Sequence, residues 1–187
     1  CRQFLNFAPG AKCEVRSKVA GFKSSVSLSV VNPYLHFTCG VFARYLKRSG
    51  IVRPGSAVLD LGTVSGLLAL ALAVSGAQRV LAVDINPVAV ECASTNAASN
   101  MLQDVIDVRQ GDGFDAVEDE RFDLVVCNPP YFRGEPRSMA GRAFHGGAHL
   151  EWFTKFGSEL HGHLTEGGSA IISLGDAAEI DAIAWLF

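Results

Sequence analysis

The chain has 187 residues, of which 49% are hydrophobic and 19% charged, with a formal net charge of −3. That length holds one domain with a full core, and the balance is ordinary for a soluble α/β protein. A net negative charge gives no global positive field to announce a nucleic-acid partner.

The five cysteines (Cys1, Cys13, Cys39, Cys92 and Cys127) form no CxxC pair, which suits a reduced, cytoplasmic chain better than a disulfide scaffold. No apolar run reaches the length of a membrane span, and no signal peptide is visible. The chain opens on Cys1 and stops mid-pattern at Phe187, so it reads as an excised part of a longer protein.

Residues 1–24 carry little periodicity, and Pro9-Gly10 marks a turn. They read as an N-terminal extension, with the domain proper over 25–187. Ser25 to Val31 alternates Ser with Val and Leu as a half-exposed strand does, and Asn32-Pro33 ends it. Apolar residues at 37, 41, 42, 45 and 46 predict a helix over Phe37 to Lys47. Strand–helix alternation then predicts a parallel sheet. Ser56 to Gly62 is a strand, Leu67 to Val74 a helix, Arg79 to Asp84 a strand, and Pro87 opens a helix through about Ala98. Val105 to Gln110, Leu124 to Cys127 and Ser169 to Leu174 complete the strands. A helix from about Ala148 to Leu164 is expected to end at Gly167-Gly168, and Asp176 to cap a final helix.

The chemistry gathers at the strand ends. Phe122-Asp-Leu-Val-Val-Cys-Asn-Pro-Pro-Tyr131 is an apolar strand stopped by two prolines, which lack the N–H a ladder needs. The Asn128 side-chain oxygen and the Pro129 carbonyl are two acceptors able to receive both hydrogens of an NH2 group. Pro130 helps fix the backbone, and the Tyr131 ring offers a flat wall for a planar group. The alternative is a strand-terminating turn in which the Asn satisfies its own backbone. Upstream, Asp60-Leu-Gly-Thr-Val-Ser-Gly66 runs from strand into helix, where small residues allow close backbone approach to a ligand. It is not GxGxxG, which disfavours a dinucleotide enzyme. Asp84 ends the next strand, where a carboxylate can hold two ribose hydroxyls. Asp112 ends the third, placed to accept from an adenine amino group, with Phe114 able to pack on the ring.

These residues resemble class I S-adenosylmethionine-dependent methyltransferases over about residues 25–187. The carriers are Leu59-Asp-Leu-Gly-Thr63, Asp84-Ile-Asn-Pro-Val-Ala-Val, Asn96-Ala, Gln110-Gly-Asp112 and Asn128-Pro-Pro-Tyr131. Together with Gly146-Gly147 they are most similar to the HemK/PrmC glutamine N5-methyltransferases. The resemblance implies an α/β, Rossmann-like sandwich around a mostly parallel sheet of order 3-2-1-4-5, its two C-terminal strands missing from this span. It implies S-adenosylmethionine as cofactor. Asp60, Gly62, Thr63 and Gly66 would lie at its methionine end, Asp84 and Ile85 at the ribose, and Asp112, Gly113 and Phe114 at the adenine. Asn128, beside the cofactor, and Pro129 would hold the amide to be methylated, with Pro130 and Tyr131 completing the motif and Thr38 nearby. A release-factor-like protein glutamine is the favoured acceptor. A nucleic-acid amino group, or a binding module without catalysis, is the alternative. The family usually carries Gly at the position of Val64, so a positive φ there would strain a β-branched residue.

Other features read plainly. His145 with His149, and His161 with His163, lack further ligands, so no metal is expected. Arg133, Arg137 and Arg142 form a solvated lid, or alternatively a grip on an acidic or phosphate-bearing substrate. Trp152 and Phe156 read as core, and Cys127 as a buried small apolar residue.

Overall fold

The computed structural model describes residues 14–27 and 37–186. Five strands form one wholly parallel sheet: β3 (Ala57–Leu61), β4 (Arg79–Asp84), β5 (Ile106–Gln110), β6 (Phe122–Cys127) and β7 (Leu164–Ile172). Their order is β5-β4-β3-β6-β7, which is the 3-2-1-4-5 order expected for a Rossmann-like methyltransferase fold. Helices α2 (Leu67–Val74) and α3 (Pro87–Ser99) make the first two crossovers, and α4 (Glu151–Leu160) precedes β7. The helix α1 (Phe37–Ser49) packs beside α2, and a short α5 (Ile180–Ala184) closes the described chain. No helix among the described residues is long and apolar enough to cross a membrane.

The strands are near-continuous apolar runs because both faces of the sheet are covered. Val58, Val80, Ala82, Leu124 and Val126 face one layer with Phe42, Leu46 and Leu67 to Leu72. Their neighbours Leu59, Leu81, Val83 and Val125 face the other layer with Phe114, Phe122 and Phe156. In β3, β4 and β6 from Leu124 onward, this period-2 division between two cores fixes the register. Pro87 stands at the first turn of α3, and the Asn86 side chain caps it by accepting from Val88 N–H at 3.0 Å.

Three local expectations change. The strand expected from Ser25 begins earlier, as β2 (Phe22–Ser27), and pairs antiparallel with β1 (Glu14–Val19), in a stretch where no pattern was legible. The continuation to Val31, the stop at Asn32-Pro33 and the Pro9-Gly10 turn lie outside the described residues. The helix expected to reach Leu164 stops at Leu160, with a 3-10 turn over His161–His163, and β7 starts at Leu164. Gly167 and Gly168 lie inside that strand: a Cβ on Gly168 would meet Phe122 O at 2.9 Å, and the ladder shifts register there. The glycines mark an irregular strand, not a helix stop. Finally, Asp176 sits in a turn and does not cap α5, whose preceding residue is Glu179.

The hairpin is fastened by side chains. Asn96 on α3 and Asn100 at its C-cap, four residues apart, face the open edge of β2 as a strand would. Asn100 Oδ1 accepts from Lys23 N–H at 3.0 Å and its Nδ2 donates to Lys23 O at 2.8 Å. Asn96 repeats the pattern on Ser25 at 2.7 and 2.9 Å, and also donates to Ser65 O at 2.8 Å.

Candidate active site

A cavity opens at the carboxyl ends of β3, β4, β5 and β6, the edge where open α/β sheets place ligands. Gly62, Asp84, Ile85, Asp112, Gly113 and the whole of Asn128-Pro129-Pro130-Tyr131 line it. Thr38 lines it from the start of α1. Sequence-distant residues thus meet at one sheet edge.

The remaining expected residues lie behind the wall. Asp60 is fully buried: its Oδ2 accepts from Thr63 Oγ1 at 2.6 Å and from Ala69 N–H at 3.0 Å, while Oδ1 has no partner. Burial pushes its carboxyl up to about 7, against the pull of those two bonds. Thr63 and Gly66 shape the β3–α2 turn. Gly66 has φ 78°, and a Cβ there would stand 3.1 Å from Ala93 of α3, so the glycine permits close helix packing. Phe114 is rotated into the core by the 3-10 turn Gly113–Ala116. There it stacks on Phe156 at 5.6 Å and on His163 at 4.6 Å. The turn's N–H groups are largely committed within the protein: Gly62 and Thr63 donate to Val83 O and Gly66 to Thr63 O.

Asp84 ties the first two loops together. Its Oδ2 accepts from Val64 N–H at 2.8 Å and Oδ1 from Asn86 N–H at 2.9 Å; burial raises its carboxyl despite them. Val64, on the cavity wall, has φ 56°, a conformation a β-branched side chain tolerates poorly.

Asn128 carries the least satisfied polar group of the wall. Its Nδ2 donates to Cys39 Sγ at 3.1 Å, and its Oδ1 is buried without a hydrogen-bond partner among the described residues. Burial pushes the Cys39 thiol up to about 11, so it stays protonated near neutrality. Cys127, one residue away, is buried and its thiol is pushed up likewise, consistent with an inert core residue.

Aromatic and lid residues that sequence reasoning set aside also line the cavity. Trp152 does so while stacking on Phe156 at 5.0 Å, joined by Phe132, Met139 and Phe144 from the segment after the motif. Their signal was weak: isolated aromatics in a Gly/Pro-rich stretch have no period. That segment is pinned back on itself, with Phe132 N–H donating to Phe144 O and Gly134 N–H to Gly147 O. A Cβ on Gly146 would approach Pro130 O to 2.5 Å, so this glycine lets the segment close against the motif. Of the three arginines, Arg133 pairs with Glu179, and Arg142, on the cavity wall, reaches Asp112 at 3.5 Å. Arg137 does not line the cavity. No cluster of three metal-ligating side chains occurs among the described residues.

Comparison with known proteins agrees with this geometry. Residues 39–151 match the family model described as methyltransferase small domain. A tRNA1(Val) (adenine(37)-N6)-methyltransferase of Porphyromonas gingivalis is 44% identical over 81 residues, covering 40% of this chain and 32% of that protein. A ribosomal protein L11 methyltransferase of Desulforamulus reducens is 38% identical over 104 residues, covering 52% of this chain and 33% of that protein. The chain thus spans about a third of the length of these curated relatives. Among solved structures, the ribosomal protein L11 methylase of Lactobacillus delbrueckii subsp. bulgaricus superposes with TM-score 0.59 at 29% identity, over 81% of this chain and 66% of that one. The Thermus thermophilus 16S rRNA N2 G1207 methyltransferase, in complex with AdoMet and guanosine, gives TM-score 0.64 at 21% identity, over 93% and 45%. With the family model matched over more than half its length, the chain belongs to the methyltransferase small domain family and has that family's Rossmann-like fold.

Proposed function

We propose that this domain binds S-adenosylmethionine and transfers its methyl group to the nitrogen of a conjugated NH2 group. The observation that carries the reading is Asn128 Oδ1 at the edge of the cavity, a buried acceptor with no partner among the described residues. A buried polar atom left unpaired costs about 1–3 kcal/mol, so an N–H donor from a ligand at this position would relieve a real penalty, which supports the reading.

The cofactor fits the residues present. Asp84 offers carboxylate oxygens for vicinal hydroxyls, and Ile85 offers apolar surface beside it. Gly113 has φ 65° with nothing within 4 Å of where a Cβ would stand, which leaves room at the end of β5, beside Asp112. Asp60, Thr63 and Gly66 act at one remove by holding the turn that carries Gly62. When bound, the sulfonium supplies an activated methyl to an incoming nucleophile. The protein's part is to present that nucleophile. Asn128 Oδ1 accepts one N–H of the acceptor, with the Pro129 carbonyl the candidate for the other, and the Tyr131 ring limits the plane. An amide or aryl amine has a delocalised lone pair, and fixing both N–H directions favours the geometry that frees it. Such positioning is worth a few kcal/mol.

Two acceptors meet this chemistry. The HemK/PrmC-like residues point to a protein glutamine side chain. The aromatic wall of Tyr131, Phe144 and Trp152 favours the exocyclic amine of a nucleobase as a second reading. The test is methyl transfer from labelled cofactor into a cell extract, divided by protease and nuclease. Asn128→Ala should abolish transfer while calorimetry finds cofactor affinity within about threefold of the parent. A large loss of affinity in that variant would remove Asn128 from the acceptor side.

A further inference from the structure

Net charge conceals how the charge is placed. Residues 1–59 carry nine Lys and Arg against one acid, Glu14, whereas residues 60–187 carry seven against eighteen. The described part of the basic share, Arg53 apart, lies in β1, β2 and α1. Lys18 and Lys23 stand opposite each other across the hairpin, both exposed, an arrangement disfavoured unless something negative offsets it. Lys47 joins the hairpin to α1, its Nζ donating to Ala20 O at 3.1 Å and lying 4.7 Å from the Phe22 ring centroid. The outward stripe of α1 continues with Val41, Arg44, Tyr45 and Arg48. Arg44 and Arg48 lie one turn apart, roughly 5–6 Å between Cβ atoms, and the Tyr45 side chain is 50% exposed.

The two regions differ in pairing. Five of the seven cations in the acidic part, Arg79, Arg109, Arg133, Arg142 and Lys155, each meet a carboxylate. Among the described residues no ion pair involves Lys18, Lys23, Arg44, Lys47 or Arg48. Position matters too, because α1 begins at the cavity wall with Thr38 and Cys39, and its stripe leads about 15 Å outward to Arg48.

We propose that the face formed by the β1–β2 hairpin and α1 docks the sugar–phosphate backbone of an RNA whose base enters the cavity. This deepens the nitrogen-methylation reading by naming its substrate class, and rests on it for what the cavity does. Cations without a carboxylate partner, with an exposed aromatic ring among them, suit phosphates and an unstacked base. RNA offers bases already unstacked in loops, whereas a DNA duplex must first be opened. The acidic remainder repels the same polyanion and leaves this face for approach.

The experiment is fluorescence anisotropy of the full chain with labelled unfractionated tRNA across a salt series, with single-stranded DNA and phosphatidylserine vesicles as parallel arms. Arg44→Ala with Arg48→Ala should weaken tRNA binding at least tenfold and shrink the log K–log salt slope by about 1.4–1.8, two phosphate contacts' worth. Lys23→Ala should act in the same direction more weakly, and Arg121→Ala should leave binding unchanged. Calorimetry with S-adenosylhomocysteine should be unaltered in all three. Absence of tRNA binding, equal binding by the double variant, preference for DNA or vesicles, or loss of cofactor binding in the double variant would each overturn the proposal. If tRNA binds through the arginines yet label enters neither tRNA nor protein, the docking face stands and the nitrogen-methylation reading falls. If label enters protein and tRNA does not bind, the reverse holds.

Discussion

Asp60 has no direct access to the cavity, and its influence runs through protonation. Its carboxyl is pushed from an ordinary value near 3.8 to about 7, chiefly by burial. The folded chain therefore keeps a proton that the unfolded chain releases between those values. The associated stability is fully present below about pH 4 and is lost as pH rises to about 7. The gap corresponds to on the order of 4 kcal/mol as an upper figure. Asp84 is raised as well and adds in the same direction. Urea unfolding of Asp60→Asn should accordingly give a flatter stability curve between pH 4 and 7 than the parent; an unchanged slope would mean the proton is held elsewhere. Val64 is a second residue at which local preference is overridden. Its φ of 56° costs roughly 1–3 kcal/mol for a β-branched residue. The bond from its N–H to Asp84 Oδ2 holds it there. The family resemblance pointed to a conflict of residue type with conformation here, but not to the carboxylate that enforces it.

Elements were legible where a local pattern matched a local cause. Leu67–Val74 and Arg79–Asp84 follow from an apolar run bounded by small or polar residues, and α3 from Asn86-Pro87 at its start. The hairpin was not legible, because half its order comes from residues more than seventy positions away. Asn96 and Asn100 supply the bonds a neighbouring strand would, and an amide on a helix gives no sign of that use. Asn96→Ala removes bonds to Ser25 and to Ser65 O and leaves those groups unsatisfied, a loss of roughly 2–4 kcal/mol. Hydrogen exchange should then speed at the Ser25 amide while β4 amides lose only the global difference. Equal loss everywhere would mean that the hairpin and sheet open as one unit. The β7 boundary was missed for a related reason. Gly167-Gly168 resembles a helix stop, and only the nearness of Phe122 O identifies a strand irregularity.

At the scale of the molecule, the cavity unites strand ends that the sequence placed correctly with an aromatic lid that it did not. S-adenosylmethionine at a hundred times its dissociation constant should add about 2.7 kcal/mol of stability. For a domain of this size that raises the melting temperature by roughly 5–10 °C. NAD at the same excess should not; equal shifts would indicate nonspecific stabilisation. The overall charge of −3 was read from the sequence as an argument against nucleic acid, because a sum carries no position. Segregated along the chain as it is, the same charge leaves the hairpin and α1 locally basic. On the docking proposal, that local field would turn the hairpin and α1 toward a polyanion during approach. Dissolved salt would then slow arrival far more than it hastened departure, so the ionic strength of the medium would govern how often the cavity is offered a substrate.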